Sequence, residues 1–170
     1  DGNLDTTSAL AMPTLKLAIS AMFLFQENGV NLNIRPTHLV VPPTLVFTAR
    51  ELLNSTMVNI ARGGTTDLTV ERGNFNALQL EQLQIVADSR LENGVTSPDT
   101  GTTHSGSAST WYLASNLVHT LVVGYLRGTG RAPQVRQWKL SEGKYGMGWD
   151  IAMDIGAKAM DWRGLHKATA

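Results

Sequence analysis

Cysteine is absent from all 170 residues. Disulfide scaffolds, CxxC metal sites and thiol nucleophiles are therefore excluded, and a chain without thiols suits a cytosolic setting. Long apolar runs are missing too, since none reaches the roughly 18 to 20 residues of a membrane span. The polar opening, DGNLDTTSALAMP, has neither the basic nor the apolar region of a signal peptide. Charge of one sign is lacking as well: 14 Lys+Arg balance 14 Asp+Glu. No basic field exists to hold phosphate backbones, so sequence-specific nucleic-acid binding finds no support.

A hydrophobic share of 42% is enough for a real core. The length suits one domain, or one compact domain with an extended appendage. Helix and strand signals interleave without a strict βαβ rhythm, which predicts an α+β fold. After a polar lead-in over residues 1–12, Leu15, Ala18, Ile19, Met22 and Phe25 or Phe23 form an apolar stripe at helical spacing. The stripe predicts a helix over residues 14–27, stopped by Asn28-Gly29 and in need of a packing partner. His38-Leu39-Val40-Val41, bounded by prolines, reads as a short buried strand. A second helix is expected over residues 44–54, then a loop at Gly63-Gly64 and a weak strand over 68–70. Residues 83–88 read as another strand. Twelve of the seventeen residues from 94 to 110 are Gly, Ser or Thr, a composition expected of a flexible surface loop. Trp111-Tyr112-Leu113 re-enters the core, and residues 120–126 form a further strand.

The last quarter is the most patterned. Trp149, Ile151, Met153, Ile155, Ala157 and Ala159 share one parity; Asp150, Asp154 and Lys158 share the other. Period two predicts a long strand with one buried and one wetted face. Residues 134–140 and 145–163 are expected to pair antiparallel, joined near 141–144.

Candidate chemistry is sparse. His104-Ser105-Gly106 lacks the flanks of a nucleophile elbow. His38, His104, His119 and His166 show no ligand spacing, so no metal site is expected. Asp150 and Asp154 on one strand face would stand roughly 13 Å apart, too far for a dyad. Gly128-Thr-Gly130 lacks the third glycine of a dinucleotide loop, and Asn54-Ser55-Thr56 without a secretion signal is a chance acceptor. Trp111, Trp138, Trp149 and Trp162 read as core or interface anchors rather than a stacking platform. No enzyme and no cofactor emerge.

Several segments together resemble the major capsid proteins of tailed phages and prophages: residues 35–43 (RPTHLVVPP), 48–55 (TARELLNS), 86–91 (VADSRL), 111–114 (WYLA), 123–127 (VGYLR) and, most strongly, 154–164 (DIGAKAMDWRG). The resemblance is closest to Mu-type major head subunits of the Hong Kong 97-type fold. It implies a spine helix at the predicted first helix, lying on the long closing strands. It implies a peripheral domain from residues 13–33 and 132–170, and an axial domain from 34–131 whose loops meet at the capsomer centre. Family members carry an N-terminal arm and an extended loop before the spine helix; almost nothing precedes it here, so a C-terminal fragment is expected.

The function so implied is a structural virion protein that self-assembles into pentamers and hexamers of an icosahedral head, built in the bacterial cytoplasm. Its partners would be copies of itself, with scaffold, portal or decoration proteins, and no membrane. Asp150, Asp154, Lys158, Asp161 and Arg163, and also Arg127 and Arg131 at a turn, are the expected inter-subunit contacts. The alternatives are a phage head-maturation protease with Ser105 as nucleophile, and a carbohydrate-binding module built on the tryptophans.

Overall fold

A computed structural model describes residues 3–6, 8–59, 73–98, 100–128 and 130–169. After a short strand β1 (Leu4–Asp5), helix α1 spans Met12–Phe23. Pro13 occupies its first turn, and the Thr14 hydroxyl accepts a hydrogen bond from the Ala11 N–H at 3.0 Å. Leu15, Ala18, Ile19 and Met22 are buried along one stripe. The helix ends four residues before the expected 27, because Asn28-Gly29 makes a hairpin rather than a helix stop. Both residues have positive φ (50° and 80°), as a type I′ turn requires, and β2 (Gln26–Glu27) pairs with β3 (Val30–Asn31) around them.

β4 (His38–Val41) inserts Leu39 and Val41 fully into the core between the buried Pro36 and Pro42. A 3-10 turn, Pro43–Leu45, leads into α2 (Val46–Asn54), which buries Ala49 and Leu53. β5 (Met57–Asn59) pairs antiparallel with β6 (Gly73–Phe75). The expected Gly63-Gly64 loop and the strand at 68–70 lie outside the described residues. Asn76, only 1% exposed, fastens this region. Its amide donates to the carbonyls of Leu52 (2.7 Å) and Ser55 (2.9 Å), and its carbonyl accepts from the Leu78 N–H (3.1 Å). Every polar group of that buried side chain thereby works.

β7 (Gln84–Ala87) and α3 (Arg90–Asn93) follow. The expected loop at 94–110 carries structure of its own: β8 (Val95–Thr96) pairs with β9 (Thr103–His104). Gly94 and Gly106 allow this by close approach. A Cβ on Gly106 would stand 2.2 Å from the Glu92 carbonyl oxygen, and one on Gly94 would stand 2.4 Å from that of His104. Backbone-to-backbone packing orders a stretch that has few side chains to bury.

β10 (Trp111–Ala114) runs antiparallel to both β4 and the last strand, β15 (Leu165–Ala168); the mixed sheet has the order β1-β15-β10-β4-β7. Trp111 and Leu113 face the core with Leu39, Val41 and Ala168, and the buried faces of α1 and α2 complete the same cluster. This is a mixed α/β architecture.

Contacts divide the chain into Asp1–Val118 with Trp162–Ala170, and His119–Asp161. α1 lies in the larger unit, where β4, β10 and β15 supply apolar side chains; among the described residues, none in 119–161 belongs to the buried core.

Candidate functional site

Residues 119–161 form a doubly nested antiparallel ribbon. Its outer pair is β11 (Leu121–Tyr125) with β14 (Ile155–Ala159), and its inner pair is β12 (Gln134–Lys139) with β13 (Met147–Ala152). The single long strand expected up to 163 is broken at Met153-Asp154, where the partner changes from β12 to β11. The opposite connection explains the break: Gly128 and Gly130 have positive φ (99° and 73°), and Pro133 has no N–H for a ladder. Asp150 and Asp154 accordingly do not share one strand.

The predicted alternation is present, but both faces are wet. On the outer pair, Leu121 opposes Ala159, Val123 opposes Ala157 and Tyr125 opposes Ile155, making one wholly apolar face. The other face carries Val122 opposite Lys158, and Gly124 opposite Gly156. On the inner pair, Val135 with Ile151, Gln137 with Trp149 and Lys139 with Met147 share a face. Leu121, Ile151 and Trp149 are 72%, 71% and 62% exposed, values normal for surface lysines rather than strand hydrophobics.

The expected contact residues are distributed over this surface. Asp150 stands opposite Arg136 in the inner register. Lys158 lies on the face away from the apolar one, and the Asp154 carbonyl accepts from the Leu126 N–H at 3.4 Å in the break. Arg127 follows β11, and the Arg131 guanidinium lies 6.0 Å from the Tyr125 ring centroid. Asp161 ends the ribbon. Arg163 belongs to the larger unit, where it pairs with Glu27 at 2.7 Å beside the edge-on contact of Phe25 with Trp162. Sequence reasoning placed the polar parity of this ribbon and missed the importance of the apolar one, which it assigned to the core.

The tryptophans share no platform. Trp111 is fully buried, while Trp138 and Trp149 point to opposite faces of the inner pair. His104 and Ser105 are both exposed at the β8/β9 hairpin. The most perturbed histidine is one that the sequence did not single out. His166, on β15 and only 4% exposed, has its Nδ1 without a hydrogen-bond partner among the described residues. Burial holds its pKa below the ordinary 6.5, partly offset by the Asp5 carboxylate. Asp88 is held below the usual carboxylate range by the Arg90 guanidinium that grips it at 2.7 Å. Among the described residues no cluster of three metal-ligating side chains occurs, and no helix is long and apolar enough to cross a membrane.

No curated protein matches this sequence. A similar solved structure is the holo-SrpI encapsulin complex from Synechococcus elongatus PCC 7942, determined by cryoEM. It is 11% identical, with a TM-score of 0.52 over 99% of this chain and 52% of that one. The present chain thus spans about half the length of that encapsulin chain and shares its fold. Residues 1–168 match the family described as phage capsid protein. The chain belongs to the phage capsid protein family.

Proposed function

We propose that this protein is a non-enzymatic shell subunit, a major capsid protein of a Mu-type tailed phage or prophage head. It associates with copies of itself into the pentamers and hexamers of an icosahedral shell of the Hong Kong 97 type, assembled in the bacterial cytoplasm. The carrying observation is the ribbon. A two-stranded pair is marginal in water by itself, yet the two pairs of this ribbon leave Leu121, Val123, Tyr125, Trp149, Ile151 and Ile155 exposed. Apolar surface of that extent marks an association surface. Closed rings of identical subunits provide it through heterologous contacts, repeated by rotation.

On this reading residues 13–33 and 132–170 belong to the peripheral domain, with α1 as its spine helix, and residues 34–131 to the axial one. Asp150, Asp154, Lys158, Asp161, Arg127 and Arg131 supply polar contacts around the apolar faces; Arg163 is engaged by Glu27 inside its own unit. Scaffold, portal and decoration proteins are further partners of such a shell. Zero net charge fits the repeated association of like subunits, which strong charge would oppose.

Electron microscopy and light scattering over a concentration series test this reading. Shells, capsomers or flat sheets are the expected products, and their yield falls when Asp150→Lys and Lys158→Glu alter the rim. A protein that stays strictly monomeric at high concentration overturns it.

A further inference from the structure

The outer pair of the ribbon has a shape that suits one occupant in particular. On its apolar face β11 presents a ridge of large side chains, Leu121, Val123 and Tyr125. β14 presents a trough beside it, Ala159, Ala157 and then Ile155. We propose that this face docks on the same face of a second copy, about a two-fold axis running parallel to the strands. This rests on the shell-subunit reading and specifies one contact within it.

The geometry follows from the register. Rotation about an axis along the ribbon turns the face over, keeps position along the strand and exchanges left for right. Leu121 of one copy then falls over Ala159 of the other, Val123 over Ala157, and Tyr125 over Ile155, each in both directions. A two-fold axis across the strands would instead set ridge on ridge. The contact is isologous, so one complementary ridge and trough suffices for both partners. Sheets stacked face to face in aligned packing place such side chains in each other's gaps.

Charge allows it. A two-fold contact brings every charge against its own copy, which penalises any ionised group at its centre. The only charge on these two strands is Lys158, and it sits on the opposite face. At the end of the apolar stretch the Arg131 guanidinium lies over the Tyr125 ring.

Area sets the strength. Five residues per strand give a face about 17 Å long, and two strands make it about 10 Å wide. That is about 170 Å² per copy, well below the ~800 Å² per partner of a stable isolated interface. The contact cannot hold a dimer by itself; it acts where other contacts of an assembly already bring two copies close.

The test exchanges ridge and trough. Val123→Ala removes the central ridge, Ala157→Val fills the central trough, and the double variant V123A/A157V swaps them. Both positions are exposed, so circular dichroism of all three should match the unaltered chain. Assembly is followed by sedimentation and light scattering of the full 170-residue chain. Each single variant is expected to raise the concentration needed for assembly on the order of ten-fold, and the double variant to recover most of the loss. Singles that assemble like the unaltered chain overturn the two-fold contact and leave the shell reading standing. A double variant weaker than either single also overturns it, because the cover is then a different chain or segment. An unaltered chain that never assembles overturns both.

Discussion

The indole of Trp138 lies over the backbone of Gly148, its cross-strand partner on the inner ribbon. A Cβ at Gly148 would stand 2.4 Å from Trp138 Cε2, so this glycine is there for the space it leaves. Gly148→Ala is expected to displace the indole and cost about 1 kcal/mol. Acrylamide quenching, compared with a Trp138→Phe reference, should show the displaced ring becoming more accessible. Unchanged quenching would mean that the strands absorb the methyl without moving the ring.

His166 makes the larger unit sensitive to acid. Its pKa is depressed by burial, so the unfolded chain takes up the proton first. Its contribution is complete above pH 6.5, the unfolded value, and is lost as pH falls toward the depressed folded value. Melting temperature should drop below that point. His166→Gln should flatten the drop, whatever its effect at pH 8; an equal acid loss in that variant would assign the effect to another group.

The buried Asn76 side chain makes three hydrogen bonds. Asn76→Ala strands two carbonyls and an N–H, and should lower stability by about 2 to 3 kcal/mol, measured as a shifted denaturant midpoint with unchanged slope. Asn76→Asp should be worse than Ala, because a carboxylate faces the Leu52 and Ser55 carbonyls without donors.

Gly106→Ala should open the β8/β9 hairpin while sparing the core. The added methyl meets the Glu92 backbone at 2.2 Å, and backbone cannot swing aside as a side chain can. Hydrogen exchange should rise over residues 94–106 and stay unchanged at Trp111 and Leu113.

Much of this molecule was legible in its sequence. Leu39 and Val41 between prolines, the stripe on α1 and the Trp111-Leu113 alternation are local patterns whose burial needs only one partner surface, and each sits in the core. The Asn28-Gly29 turn was readable but ambiguous, since the same pair can stop a helix or turn a hairpin. The hairpin within 94–106 was hidden because composition reports what side chains can bury, whereas Gly94 and Gly106 pack backbone on backbone. The ribbon misled in a different way. Period two says which residues share a face but never what covers that face. Trp149 and Ile151 therefore looked like core when they stand exposed. Of the polar contact candidates, position on the ribbon was legible for Asp150 and Lys158. The pairing of Arg163 with Glu27, 136 residues away in sequence, was not.

The ribbon begins and ends at one point: the Met160 N–H donates to the Thr120 carbonyl at 2.9 Å, and Leu121 pairs with Ala159. Two chain ends a single cross-strand distance apart can be joined by a tight turn. The arm is therefore free to lengthen, shorten or be exchanged over evolutionary time while the helix-covered sheet keeps its own folding intact. Changes there need not touch the residues that make the larger unit fold.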